Sequence, residues 1–271
     1  MNTINQLNEV KKYSFVRTVS RKLNDIVFNY KTMLGFSNTK TDKSIKFGYL
    51  TGIMYLVPSN YASLLGYKVK NTCNFESQEC RQACLFKAGR GQFNSVKQAR
   101  LNKTLFLLEH TNINTPRIDA IKSIIFDIKS LIVKAKNKRL MPCIRLNGTS
   151  DLPIHNYGII DQFPNVQFYD YTKDYKKCID YTSGMMTSNY HLTFSYSGEL
   201  NNIEQCQELL KRGMNVAVVF KNGLPKTFLG YKVIDGDKHD LTFLYEKNVI
   251  VGLKPKGKVS DGLFLVDNTK L

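Results

Sequence analysis

Short apolar runs alternate with polar clusters along the chain, and their spacing predicts most of its elements. Tyr49–Val57 (YLTGIMYLV) is apolar along its length and stops at Pro58, as a strand buried on both faces does. Gln92–Glu109 has helical spacing, with Val96, Ala99 and Phe106 on one side. Thr115–Lys138 carries the clearest stripe. Pro116 lies near its first turn, and Ile118, Ile121, Ile125, Ile128, Ile132 and Ala135 follow in steps of three and four that mostly leave lysines on the opposite side.

Beyond that helix one texture repeats: an apolar strand, a polar cluster, then a turn or helix. Cys143–Leu146 leads to NGTSD, Val166–Phe168 to YDYTKD, and His191–Phe194 to SYSG. Asn215–Phe220 leads to KNG and Lys247–Leu253 to KPKG, while Asn202–Arg212 is helical with Ile203, Cys206, Leu209 and Leu210 inward. Strands that alternate with helices imply a parallel sheet, because parallel neighbours need crossover connections. No G-x-G-x-x-G follows the first strand, so the expected fold is α/β, a partial (β/α) barrel rather than a doubly wound sheet. It has about six mostly parallel strands and a Cys-rich loop after the first. The expected organisation is a basic N-terminal extension and linker over 1–46, with one short helix at Tyr13–Met33, and a single barrel-like domain over 47–271.

Composition narrows the class. A length of 271 residues with 42% hydrophobic content suffices for a sizeable core. No run approaches the roughly 18 apolar residues of a membrane span, and the first residues lack a signal-peptide core. The expectation is a protein of the host cytoplasm, away from membranes, whose cysteines are reduced or metal-bound. The formal charge of +17 points to a polyanionic partner, DNA or RNA. Lysine dominates the basic residues in a chain also rich in Asn and Ile, a bias that AT-rich coding produces by itself, so both explanations stand.

The strongest chemical signal is NTCNFESQECRQACLFKAGRG, where Cys73, Cys80 and Cys84 fall within one loop. Thiolates bind soft metals and sulfide clusters, and three of them leave a coordination site open on a [4Fe-4S] cluster. The C-x6-C-x3-C spacing is too open for an ordinary zinc knuckle; zinc completed by Cys143 or His110 is the alternative. In KAGRG the glycines allow close approach of an anion, with Arg90 and Arg100 supplying charge, or simply a tight turn. RLNGTSD closes the next strand. Arg145 there sits among apolar residues and calls for a carboxylate, Asp151 or Asp170.

Asp170 and Lys173 place opposite charges at the end of the following strand, and His191 opens the one after it. VIDGDKHD concentrates Asp235, Asp237, His239 and Asp240, either as a Mg2+ site or as an Asp-Gly hairpin turn.

The ordered segments CNFESQECRQACLFKAGRG, VKQARLNKTLF, IRLNGTSDLP, FPNVQFYDYTK, NYHLTFS, NVAVVF, VIDGDKHDLTFL and VIVGLKPKG resemble the phage gene product 88 family from about Leu34 to Gly257. The chain departs from that pattern at Asn74, where the family has proline, and at Ile154, near a family tryptophan. The resemblance implies a protein of a phage or mobile element and names no reaction. The layout also resembles the radical-SAM barrel, with Cys73, Cys80 and Cys84 as its cluster loop and Asn147 and Gly148 as its glycine motif.

Together these signals lead to the expectation of an S-adenosylmethionine-dependent iron-sulfur enzyme. Arg90, Arg145, Asn147, Gly148 and Asp151 hold the cofactor, and Asp170, Lys173, His191, Asp235, Asp237 and Asp240 face the substrate. Two alternatives are a nucleic-acid-binding protein with a divalent-metal nuclease or replication role at Asp235, Asp237 and Asp240, and a zinc-stabilised binding protein.

Overall fold

The structure, a computed structural model, describes residues 19–23, 25–36, 39–256 and 264–270. Apolar strands dominate it. β1 (Val19–Leu23) and β2 (Ile26–Tyr30) form an antiparallel pair, and β3 (Leu34–Gly35) lies at one edge of a ten-stranded sheet. From that edge the sheet runs through β4 (Tyr49–Met54), β5 (Met141–Arg145), β6 (Gln167–Thr172), β7 (Tyr190–Ser195) and β8 (Asn215–Lys221). It ends with β11 (Ile250–Leu253), β10 (Tyr231–Asp235) and β9 (Thr227–Phe228), while β12 (Leu265–Asp267) also pairs with β8. All pairings from β4 to β10 are parallel; β3 and β9 close the two edges antiparallel. Among the described residues no pairing joins those edges, so the sheet is mixed α/β, mostly parallel and not a closed barrel.

Helices cover one face. α4 (Asn94–Leu108) and α5 (Ile118–Asn137) come after the short helices α1 (Thr39–Ile45), α2 (Tyr61–Leu64) and α3 (Gln78–Gln82). α6 (Tyr175–Thr182) and α7 (Asn202–Lys211) cross between later strands. On α5 the buried stripe is Ile121, Ile124, Ile125, Ile128, Leu131 and Ala135, which packs on β2, β4 and β5. Burying each large aliphatic side chain is worth about 2 kcal/mol, far more than the helix's intrinsic stability in water. α4 corrects its expected face. Val96, Ala99 and Phe106 stay partly or wholly exposed, and Leu101, Thr104, Leu107 and Leu108 turn inward, with the Thr104 hydroxyl accepting from the Val57 amide at 3.0 Å.

A helix over Tyr13–Met33 is also corrected, in so far as it falls on described residues: 19–23 and 26–30 pair as the antiparallel strands β1 and β2. Asp127 on α5 anchors the chain between β2 and β3, its Oδ2 accepting from the amides of Met33 (2.7 Å) and Leu34 (2.9 Å) while Oδ1 accepts from the Tyr30 hydroxyl. β6 runs further than expected, through Thr172, so Asp170 lies inside a strand and not at its end. The Asp-Gly hairpin at Asp235 is excluded, because β10 and β11 pair in parallel. Their connection crosses the face opposite the long helices, where Leu241 and Phe243 pack on Cys143, Tyr49 and Tyr169. It reaches as far as α1, where Lys43 Nζ donates to the Asp237 carbonyl at 2.8 Å. Parallel order therefore gathers the segments after β4, β5, β6, β7, β10 and β11 at one end of the sheet.

Candidate active site

The segment after β4 is built by local capping. The Asn71 side chain accepts from the Cys73 amide at 2.7 Å, and the Ser77 hydroxyl accepts from the Cys80 amide at 3.1 Å as the N-cap of α3. Glu76, with a side chain only 5% exposed, ties the loop together through Ser59, Asn71 (3.2 Å) and Arg81 (3.0 Å). Cys73, Cys80 and Cys84 are thereby held along one side of a cavity of about 440 Å³. Burial pushes the Cys73 thiol up to about 12 and raises those of Cys80 and Cys84, so free thiols here are protonated at neutral pH and are not preactivated nucleophiles. Among the described residues no three His, Cys, Asp or Glu side chains stand close enough together to hold a metal ion.

The floor comes from the turn after β5. Asn147 organises it: its amide donates to Asp170 Oδ1 at 2.7 Å, and its side-chain oxygen accepts from the Ser150 hydroxyl (2.8 Å) and the Leu152 amide (3.0 Å). Asp151 comes next, accepting from the Thr172 hydroxyl (2.8 Å) and the Lys173 amide (2.9 Å), with the buried Lys177 ammonium 3.9 Å away.

Gly148 has a packing reason for lacking a side chain. A Cβ there would sit 2.7 Å from the Met54 carbonyl oxygen and 2.8 Å from the Ile53 side chain, while its amide donates to that same carbonyl at 3.0 Å. Gly148→Ala should therefore part the turn from β4 and cost about 2 kcal/mol in denaturant unfolding. An unchanged midpoint would show that the turn has slack.

Arg145 reverses one expectation. Its partner is neither Asp151 nor Asp170 but Asp240, at 2.8 Å, with side-chain exposures of 8% and 9%. Burial opposes the guanidinium charge, and the Asp240 carboxylate outweighs it, so the group stays protonated. The guanidinium also stacks on Tyr171, 4.6 Å from the ring centroid.

The acidic cluster itself does not converge. Asp235 caps its own turn by accepting from the Asp237 amide (2.9 Å), Asp237 pairs with Lys256 (2.8 Å), and Asp240 serves Arg145.

Of the residues singled out from sequence, eleven share the cavity wall: Cys73, Cys80, Cys84, Arg145, Asn147, Gly148, Asp151, Lys173, Asp237, His239 and Asp240. Asp170 lies buried beneath it. His191 sits at the start of β7, away from the gathered strand ends, with Nδ1 3.3 Å from the Tyr181 hydroxyl and its pKa pushed down to about 4 by burial. Arg90 is exposed on the short turn Gly89–Gln92, where Gly91 is required by the Leu85 carbonyl, 2.8 Å from any added Cβ. Cys143 is buried against the Thr51 hydroxyl at 3.1 Å. Lys43, Glu76, Tyr171, Lys254 and Lys256 also line the cavity. Glu76 lies in the cysteine loop, Tyr171 in YDYTKD, and Lys254 and Lys256 in KPKG, while no pattern in the sequence marks Lys43.

These elements define a mixed α/β protein with a ligand-sized, thiol-lined cavity at the carboxyl ends of a mostly parallel sheet. Among the described residues no helix is long and apolar enough to cross a membrane. The family model described as Gene product 88 matches residues 30–267, and the chain belongs to that family, the phage family its motifs resemble. No curated protein and no solved structure matches it.

Proposed function

We propose that the protein is an iron-sulfur enzyme, using S-adenosylmethionine, whose [4Fe-4S] cluster is held by Cys73, Cys80 and Cys84. One observation carries the reading: three cysteines spread over twelve positions line the same cavity as the ends of β5, β6 and β7. The donor set suits such a cluster, since three soft sulfurs in a desolvated site leave one coordination position for a small molecule, and thiols raised by burial become thiolates on binding metal. When bound, such a cluster supplies single-electron chemistry. The protein's own part is orientation and exclusion of water. Asn147 and Gly148 set the floor backbone, Arg145 and Asp151 offer fixed charges of both signs, and Lys173, held at 3.0 Å by the Tyr196 carbonyl, stands at the opening of α6. The sequential parallel order from β4 to β8, with the β10–β11 connection reaching α1, supports reading the sheet as a partial (β/α) barrel.

Anaerobic purification with iron and sulfide analysis tests the proposal. About four of each per chain are expected, falling below a tenth in Cys73→Ala, Cys80→Ala or Cys84→Ala while the far-ultraviolet dichroism holds. A folded protein free of iron and sulfide would overturn it, and one zinc without sulfide would favour the zinc-stabilised reading. The nuclease alternative draws on the charge of +17, yet Asp235, Asp237 and Asp240 each have separate partners, so the thiol-lined cavity carries the reading.

A further inference from the structure

The cavity has two electrically different ends. At the thiol end Glu76 and Asp151 face Lys173. At the other end four cations, Lys43, Arg145, Lys254 and Lys256, surround two carboxylates, Asp237 and Asp240. The contacts there are local: the Asp237 side chain accepts from the Lys254 amide and pairs with Lys256, its carbonyl takes Lys43, and Arg145 takes Asp240. The excess of positive charge lies on that side.

Two polar groups at this end have unused capacity. His239 is 8% exposed and lines the cavity, yet neither ring nitrogen has a hydrogen-bond partner among the described residues, and Nδ1 is wholly enclosed. Its ring is fixed, stacked on Tyr245 at 4.5 Å and 18° and packed on Phe47 at 4.3 Å. Arg145, on the same cavity wall, commits one nitrogen to Asp240, the residue after His239, and leaves Nε buried without an acceptor. Enclosing such groups unpaired costs about 1–3 kcal/mol each; the ring's Nε2 is not enclosed in this way, so an acceptor in the cavity can pair with it. Packing alone would be served as well by phenylalanine at 239.

We propose that His239 and Arg145 form an anion subsite, which holds the carboxylate or phosphate of a small molecule whose other end meets the thiols. The imidazole donates one N–H, the guanidinium supplies further donors, and Lys43, Lys254 and Lys256 set the field. The subsite is independent of the cluster: iron analysis tests the cluster, whereas the histidine signals test the subsite.

The test uses the full chain labelled with 15N-histidine, titrated with inorganic phosphate and, separately, acetate at ionic strength held constant with sodium chloride. The sequence holds only four histidines, and His239 is assigned by its loss in His239→Phe. In at least one arm the His239 ring signals should shift saturably, and the arm that does so names the group. The same anion should raise the unfolding midpoint by roughly 3 °C near tenfold saturation. His239→Phe, which keeps the aromatic stack, should weaken that stabilisation at least tenfold in anion concentration. Equal stabilisation of both proteins, or no His239 shift beyond the chloride control, would overturn the subsite. If His239→Phe does not fold, His239→Gln replaces it, and the wild-type titration still decides.

Discussion

Asp240→Ala should lower the unfolding free energy by about 3–5 kcal/mol, because it leaves a buried guanidinium without its counter-charge. The partner is 2.8 Å away and both side chains are more than nine-tenths buried. The Tyr171 ring against it offers a π face but no anion at neutral pH. For a domain of this size the midpoint should fall by roughly 10 °C. Arg145→Met should cost less than Asp240→Ala, since a carboxylate can take up a proton while an arginine cannot release one. The double replacement Arg145→Met, Asp240→Leu should recover most of the loss, for an apolar pair of similar volume needs no desolvation of charge. The measurement is a double-mutant cycle in denaturant at fixed salt. Asp240→Ala within 1 kcal/mol of wild type would mean that water reaches the pair and that the cavity is wetter at this end than its enclosure implies.

The pair also shows where sequence stops being informative. Strands such as Asn215–Lys221 and Tyr190–Ser195 were legible because parallel strands buried on both faces leave continuous apolar runs. α5 was legible because its stripe repeats at helical spacing over five turns. The β1–β2 pair was not: most of its positions face outward, so no alternation marks it. β6 was cut short because Asp170, Tyr171 and Thr172 look like a loop, although each faces a partner.

Clustering in sequence found the cavity, since loops after parallel strands must meet at one end of the sheet. It did not find the pairings inside it. Asp240 lies 95 positions from Arg145, and nothing local distinguishes it from Asp151 or Asp170, which stand closer in the chain. His239 was visible only as one member of an acidic run; its fixed ring depends on Phe47 and Tyr245, which meet it through the fold.

Asp170 decides whether the floor beneath the cavity is held by a charge or by a shape. It is fully buried, accepting from the Asn147 amide at 2.7 Å and the Tyr190 hydroxyl at 3.0 Å. Burial pushes its carboxyl up to about 6 from the ordinary 3.8, against the pull of Lys177 and Arg145. The unfolded chain releases this proton near 3.8 and the folded chain near 6. Between those values the folded state holds the extra proton, so the contribution of Asp170 to stability is full below about pH 4 and declines as pH rises to about 6. The decline is worth roughly 3 kcal/mol. His155 and His191, both pushed down to about 4 by burial, act in the opposite direction over the same window, so only a difference isolates Asp170. Asp170→Asn keeps an acceptor for the Asn147 amide and offers Tyr190 a donor, and it cannot titrate. Stability of Asp170→Asn minus wild type should therefore rise by roughly 3 kcal/mol from pH 4 to pH 7. Asp170→Ala should instead lose about 3 kcal/mol at pH 5, because it strands the Asn147 amide and the Tyr190 hydroxyl in an apolar site. Parallel stability curves for wild type and Asp170→Asn across that window would mean that the carboxylate is charged in the fold throughout. The 147–151 turn would then be held by the field of Lys177 and Arg145, and the same lysine and arginine would set the charge that any ligand on the cavity floor meets.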